Sequence, residues 1–129
     1  MAAASTSNGA ARAGAVENGT VHFCFLAAAA GSDGLVDPIT GYAIRLVQMI
    51  LTTIDNDATW NIDSWDGSST YTDITPAFEL AAEQSQIVLP YSKFGWCQSA
   101  VGEGLGITVA DAAYRVMIGY SVVEREARV

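Results

Sequence analysis

The chain has 129 residues, half of them apolar, and carries six Lys and Arg residues against fourteen Asp and Glu, for a net charge of -8. This size and composition predict one domain with its own hydrophobic core and argue against a disordered chain. The excess of carboxylates argues against nucleic-acid binding, because such proteins need cations to replace the counterions of the phosphates.

The apolar runs and the cysteines indicate the cellular compartment in which the protein is expected to fold. The longest apolar runs, such as residues 23–30, are far shorter than the roughly 20 residues of a membrane-spanning helix. The first residues lack the basic region and apolar core of a secretory signal. Cys24 and Cys97 could pair, but two cysteines make no disulfide framework. We therefore expect both to be reduced and buried, in a protein that folds in a cytosol.

Residues 1–19 are rich in Ala, Ser, Gly and Asn and contain almost no large apolar side chain. Such a segment buries too little surface to offset its ordering entropy, so it predicts a flexible N-terminal arm that could order against a partner. From Thr20 onward, alternation predicts a strand whose apolar face includes Phe23 and Phe25. Residues 31–41 contain three glycines, two aspartates and a proline, and predict a loop or wide turn.

Residues 43–54 fit two patterns. Ile44, Leu46, Ile50 and Ile54 would share one face of a strand, whereas other apolar members of the segment recur at helical spacing. No N-cap residue precedes the segment, and its Ile and Thr residues disfavour a helix. We favour the strand and keep the helix as the alternative.

The remainder of the chain predicts further short strands. Residues 58–63 should have an apolar face and a wet face, and residues 65–73 should form a turn around Asp66 and Gly67. Short strands are expected at residues 78–80, 86–89 and 105–109, and a longer strand at residues 114–122. The pattern predicts an all-β fold: an antiparallel β-sandwich or jelly roll over residues 20–123, followed by a charged tail, residues 124–129.

Two local motifs suggest chemistry without supporting it. Gly102, Gly104 and Gly106 have the wrong spacing for a dinucleotide loop and lead into a predicted strand, so we interpret them as a structural turn. Cys97 would need a base to act as a nucleophile, and His22 is the only histidine. We therefore favour structural roles for Cys97 and His22.

Carboxylates near residues 55–66 suggest calcium binding, but Trp60 occupies the position of the glycine in a helical calcium loop. A looser calcium site at a turn remains an alternative. One histidine and two separated cysteines argue against a transition-metal site. We therefore expect no enzyme activity, no cofactor and no bound metal.

Three stretches carry a family resemblance: residues 86–96 (QIVLPYSKFGW), residues 100–108 (AVGEGLGIT) and residues 118–123 (IGYSVV). Together with Ile44-Arg-Leu and the Thr72-Asp73 turn, they resemble a pattern in small virion proteins of tailed bacteriophages. The resemblance covers roughly residues 43–123 and consists of packing residues.

The resemblance implies a β-sandwich or jelly-roll protein that decorates the capsid surface as a cement, after synthesis in the host cytoplasm. It implies a homo-oligomer, dimer or trimer, that bridges neighbouring major capsid protein subunits. The candidate interface or structural residues are Tyr91, Phe94 and Trp96, which we call the aromatic corner, and Arg12 in the arm. An acidic surface would complement basic patches on a shell.

Two other functions remain open at this point. A phage tail or fibre module could bind a receptor or glycan by stacking exposed Trp60, Trp65 and Tyr71 on sugar rings. An enzyme of cupin-like or lysin type is the other alternative, and the shortage of histidine argues against a cupin-like metal site.

Overall fold

The computed structural model describes residues 20–81 and 86–124. The predicted arm with Arg12, and residues 125–129 of the predicted tail, lie outside the described residues. Within them the chain is all-β, with two antiparallel sheets and no helix that could span a membrane. The ten strands are β1 (His22–Ala28), β2 (Gly31–Val36), β3 (Ala43–Ile54), β4 (Ala58–Trp65), β5 (Tyr71–Asp73), β6 (Phe78–Leu80), β7 (Ile87–Leu89), β8 (Cys97–Gln98), β9 (Gly104–Ala110) and β10 (Ala113–Val123).

The strands form two sheets of five. Sheet A has the order β2-β9-β4-β5, with β6 also paired to β4, and sheet B has the order β1-β10-β3-β7, with β8 also paired to β3. Side chains from both sheets form the core between them; Ile62 and Ile107 come from sheet A, and Val116 and Ile118 from sheet B. The predicted antiparallel β-sandwich is confirmed.

The strand predicted ambiguously at residues 43–54 is confirmed as β3, but its faces differ from the prediction. The register shifts opposite the middle of β3, so the alternation of inward and outward residues breaks there. Ile44 points into the core as predicted, whereas Met49 and Leu51 are buried beyond the shift. Ile50 and Ile54 therefore lie on the outer face of sheet B.

The predicted face of β1 is wrong. Cys24 and Leu26 are buried at 1% and 6% exposure, whereas Phe23 and Phe25 are 45% and 58% exposed. Alternation shows which residues share a face, but the pairing of β1 with β10 decides which face meets the opposite sheet. Two large aromatic side chains consequently lie on the outer surface.

The loop predicted over residues 31–41 is also wrong, because its first half forms β2 along the edge of sheet A. Leu35 and Val36 are buried, which gives this glycine-rich strand an apolar anchor. Gly34 is required because a side chain there would overlap the ring of Trp65. The glycines that suggested a turn therefore serve close packing within a sheet.

Candidate functional site

The outer face of sheet A is covered by aromatic rings of the chain itself. Trp65 is only 1% exposed and stacks on Tyr71, with ring centroids 6.0 Å apart and planes inclined by 14°. Gly34 leaves room for the ring of Trp65, and a Cβ at Gly106 would lie 2.9 Å from the ring of Tyr71. The structural interpretation of the glycine-rich motif is supported, since Gly106 admits a packed ring and Gly102 forms a turn with φ of 85°.

Beside these rings, sheet A buries a polar network where the sequence predicted a wet face. Asp63 is fully buried and accepts hydrogen bonds from the Thr108 hydroxyl at 2.7 Å and from Asn61 Nδ2 at 2.5 Å. Asn61 Nδ2 also donates to Asp73 Oδ1 at 3.1 Å. Burial, joined by the charge of Asp73, raises the pKa of Asp63, although the hydrogen bond from Thr108 lowers it. The prediction of a wet face on β4 is wrong because β5 and β9 supply partners that keep these groups away from water.

The two cysteines and the single histidine, which suggested nucleophilic or metal chemistry, do not form a catalytic or metal-binding group among the described residues. Burial raises the pKa of the Cys97 and Cys24 thiols to about 12, so both remain protonated at neutral pH. Both thiols are free, and the ring of His22 lies against Tyr120 at 5.6 Å. Among residues 20–81 and 86–124, no group of three His, Cys, Asp or Glu side chains could hold a metal ion.

The aromatic corner is exposed and firmly attached to sheet B. Tyr91, Phe94 and Trp96 are 55%, 78% and 47% exposed and lie in the segment between β7 and β8. The Trp96 amide donates to the Leu46 carbonyl at 2.7 Å, and the indole Nε1 donates to the Pro90 carbonyl at 2.8 Å. The structure thus brings three of the four candidate residues into one loop.

An apolar cleft of about 330 Å³, which we call the edge cleft, opens beside Trp96 between the two sheets. Trp96 and Phe78 are both half-exposed and line the cleft from the sheet B side and the sheet A side. Its other lining residues are Leu46, Leu89 and Cys97 from sheet B, Trp60 and Ile62 from sheet A, and Thr75 from the segment between β5 and β6. Thr75 brings the only hydroxyl group among them. Phe78 was not among the predicted site residues, because only the pairing of β6 with β4 brings it to this edge.

Two cationic side chains adjoin the aromatic corner. Arg45 Nε donates to the Gln98 side-chain oxygen at 3.1 Å, and the Arg45 stem packs over Gly95, where a Cβ would overlap it. Lys93 Nζ lies 5.4 Å from the ring centroid of Phe94. Within the described ranges, neither cation forms an ion pair with a carboxylate. Neither cation was among the predicted site residues, although Lys93 lies within the predicted corner.

Sheet B presents a second exposed surface, which sequence reasoning did not find. The register aligns Phe25, Met117, Ile50 and Val88 across β1, β10, β3 and β7, and we call these four residues the apolar row. Phe25, Met117 and Val88 are 58%, 42% and 52% exposed. The signal was present as outward apolar residues on several strands, but it becomes visible only once the facing of each strand is known.

Charge is divided between the sheets. The strands of sheet A contain four carboxylates, namely Asp33, Asp63, Asp73 and Glu79, whereas the strands of sheet B contain none. The described Lys and Arg side chains lie on sheet B or in the aromatic corner, at Arg45, Lys93 and Arg115. In a chain with a net charge of -8, the outer surface of sheet B is therefore distinct in being apolar and free of strand carboxylates.

The residues suggested for glycan stacking are not available for it. Trp60 and Trp65 are 6% and 1% exposed, and the Trp60 ring packs against Phe78 at a centroid distance of 5.1 Å. Tyr71 is half-buried under the stack with Trp65. The hypothesis that these three rings are exposed is wrong, because the sandwich uses them to pack sheet A.

Comparisons with known proteins identify no family. No family model matches the chain, and no curated protein matches it. Among solved structures, the chain is similar to the CBM22-1 xylan-binding domain of Paenibacillus barcinonensis Xyn10C, with 14% identity and a TM-score of 0.41 over 75% of this chain and 66% of that chain. It is also similar to dTDP-4-dehydrorhamnose 3,5-epimerase from Sulfolobus tokodaii, with 12% identity and a TM-score of 0.31 over 87% and 55%. The chain thus spans less than two-thirds of either protein, and neither likeness supports an argument about function.

Proposed function

We propose that this chain is a structural virion protein of a tailed bacteriophage that decorates the capsid and stabilises it by bridging major capsid protein subunits. The observation that carries the proposal is the outer face of sheet B, where the apolar row lies exposed on strands without carboxylates. Contiguous exposed apolar surface on a small domain is typical of a contact with another protein. Charged residues are depleted from the centres of such contacts, because their desolvation is costly.

Bridging requires more than one contact surface, and the chain offers two. The apolar row lies on the outer face of sheet B, whereas the aromatic corner lies beside the edge cleft between the sheets. The residues of the corner also carry part of the resemblance to small phage virion proteins. In this proposal the protein is made in the host cytoplasm, assembles as a dimer or trimer, and binds at the capsid surface without cofactor, catalysis or nucleic acid.

The test is the copy number of the chain in purified virions, measured by quantitative mass spectrometry. A cement protein should be present in numbers comparable to the major capsid protein, because it contacts repeated positions of the shell. A few copies per particle would contradict the proposal. As a second measurement, the purified protein should bind shells that lack it and raise the temperature at which those shells disassemble.

A phage tail or fibre module that binds a receptor glycan is the second candidate. It is favoured by the exposure of Tyr91 and Trp96, since an exposed aromatic ring can stack on a sugar ring. Among its lining side chains the edge cleft offers the Thr75 hydroxyl and the indole N–H groups of Trp60 and Trp96, which is little for recognition of sugar hydroxyl groups. Glycan-array binding that is lost in Trp96→Ala, together with no binding to shells, would favour this candidate over the first.

A further inference from the structure

We propose that the edge cleft and the aromatic corner together form a docking site for an acidic segment of a partner protein, which inserts a large apolar side chain into the cleft. This inference rests on the proposed function and deepens it, because it assigns a chemistry to the capsid segment that the corner contacts. It concerns a surface separate from the apolar row of sheet B.

The cleft determines the apolar part of the partner. Its volume of about 330 Å³ is at the lower end of the range for ligand pockets, roughly 300–1,000 Å³. Apart from Thr75, the lining residues are aliphatic, aromatic or a thiol, so a polar group placed inside would replace few of its hydrogen bonds to water. Trp96 and Phe78 are half-exposed at the cleft, and an apolar side chain between them would bury both.

The cations determine the acidic part. Two of the three Lys and Arg side chains in residues 20–81 and 86–124, Arg45 and Lys93, lie at this corner. The acceptors of Arg45 are the uncharged oxygens of Gln98 and of the Lys93 backbone, at 3.1 and 3.5 Å. A carboxylate brought by the partner would exchange these neutral contacts for charge-assisted ones. The strands of sheet A contain four carboxylates, so an acidic segment would be repelled there and attracted to this corner.

The composition of the corner agrees with a protein contact. Exposed Tyr and Trp side chains beside an Arg are the residue types that dominate binding energy at protein interfaces. Backbone hydrogen bonds from Ser92 and Trp96 to β3 hold the loop in place, so little ordering of the loop is required on binding.

The test begins with selection of binders from a displayed library of random twelve-residue peptides, using the full chain as bait. The enriched sequences should combine Asp or Glu with a large apolar residue. A synthetic peptide of the consensus sequence is then titrated against the protein, and its affinity is measured from tryptophan fluorescence, because Trp96 is exposed whereas Trp60 and Trp65 are buried. Enrichment of basic or uncharged sequences, or no enrichment, would overturn the proposal.

Charge variants separate the site from general electrostatics. Arg45→Gln and Lys93→Gln should each weaken binding of the consensus peptide by about threefold to tenfold, and added salt should reduce that difference. Arg115→Gln is the matched control, because it removes the same charge from the outer face of sheet B. An equal loss of peptide affinity in Arg115→Gln would show non-specific electrostatic attraction and would contradict the proposed docking site.

Phe78→Ala tests the cleft. It should weaken peptide binding by more than about tenfold, while the thermal unfolding midpoint shows that the domain remains folded. If Phe78→Ala is too unstable, amide chemical shifts of the unmutated protein serve instead, and they should move at residues 89–98 and 78 on addition of the peptide. Changes confined to other residues, or dimerisation through the corner in sedimentation experiments, would overturn the assignment. Shell binding is assayed separately, so a failed peptide selection with intact shell binding rejects this inference and leaves the proposed function standing.

Discussion

Sheets A and B contribute alike to the core between them, but their outer faces differ. Sheet A covers its outer face with Trp65 and Tyr71 and keeps the Asp63 carboxylate in a hydrogen-bonded network beside them. Sheet B leaves Phe25 and Met117 exposed in the apolar row. The chain therefore covers the outer face of one sheet with its own side chains and leaves apolar side chains of the other sheet exposed.

The same division holds for charge. Carboxylates on the strands of sheet A add to the acidic surface, which favours solubility and opposes self-association on that side. Sheet B lacks strand carboxylates, so another protein can approach it without burying an unpaired carboxylate. Sheet A is thus specialised for the stability of the domain, and we propose that sheet B is specialised for contact. Four measurements test this difference between the two sheets.

Trp65→Ala should have the largest effect on stability. The ring is almost completely buried, stacks on Tyr71 and fills the space above Gly34, so its removal should cost about 3–5 kcal/mol in the free energy of unfolding. Urea denaturation measures this loss. Phe25→Ala on sheet B is the control and should cost less than about 1 kcal/mol, because that ring is more than half exposed. Equal losses would show that the two outer faces do not differ as described.

Gly104→Ala should come next. A Cβ at Gly104 would overlap the Val36 carbonyl oxygen and approach the backbone of Asp37, so the end of β2 would have to move. We expect a loss of about 2–3 kcal/mol in the free energy of unfolding. Gly102→Ala meets no atom within 4 Å and should cost only the strain of a positive φ, about 1–2 kcal/mol. A larger loss in Gly102→Ala than in Gly104→Ala would argue against the close approach of β2 and β9.

Asp63→Asn should change the pH dependence of stability. The folded pKa of Asp63 is raised, so the folded protein binds this proton more tightly than the unfolded chain. The contribution of Asp63 to the free energy of unfolding therefore decreases as pH rises from the unfolded pKa of about 3.9 through the higher folded value. Asp66 acts oppositely: hydrogen bonds from the Ser68 and Thr70 amides lower its pKa, and its contribution is lost as pH falls below the unfolded value.

The variant should consequently lose less stability than the natural chain as the pH rises above the unfolded pKa of about 3.9. Denaturation midpoints at several pH values measure the difference. Asp66→Asn is the control, because it should leave this range unchanged and alter stability only in more acidic solution. Parallel curves for the natural chain and Asp63→Asn would contradict the raised pKa.

Phe25→Glu should have the smallest effect on the isolated domain, less than about 1 kcal/mol, because the side chain is exposed. It should nevertheless abolish binding to shells, since it places an unpaired charge in the apolar row. Thr72→Glu adds the same charge at an exposed position of β5 in sheet A and should leave shell binding intact. Retained binding in Phe25→Glu would remove the apolar row from the proposed interface.

Much of this fold is visible in the sequence, because alternation over several residues marks a strand without reference to its neighbours. The longest strand of sheet A, β4, and the strand β10 were both predicted from this alternation. The facing of β1 was not predictable, since Phe25 and Leu26 are equally apolar and only the partner strand decides which is buried. β2 was not predicted, because glycine is also typical of turns. Gly34 is instead required here to leave room for the Trp65 ring.

The candidate site was predictable in part for the same reason. Tyr91, Phe94 and Trp96 lie close together in the sequence, so their association in one loop needs no tertiary contact. Phe78 and Arg45 reach the same corner through strand pairing between distant segments, which composition and spacing do not show. The apolar row is still harder to predict from the sequence, because its four members come from four strands of sheet B.

The strand order also determines when this domain can form during synthesis. β9 lies between β2 and β4 in sheet A, and β10 lies between β1 and β3 in sheet B. Both follow in the chain all the strands with which they pair, so neither sheet can close while these residues remain in the ribosome. Until then, Phe25 and the future core residues of β1 and β3 are exposed together on an unassembled chain. Apolar surface exposed in this way favours aggregation, so we expect the domain to fold more efficiently when β9 and β10 follow quickly.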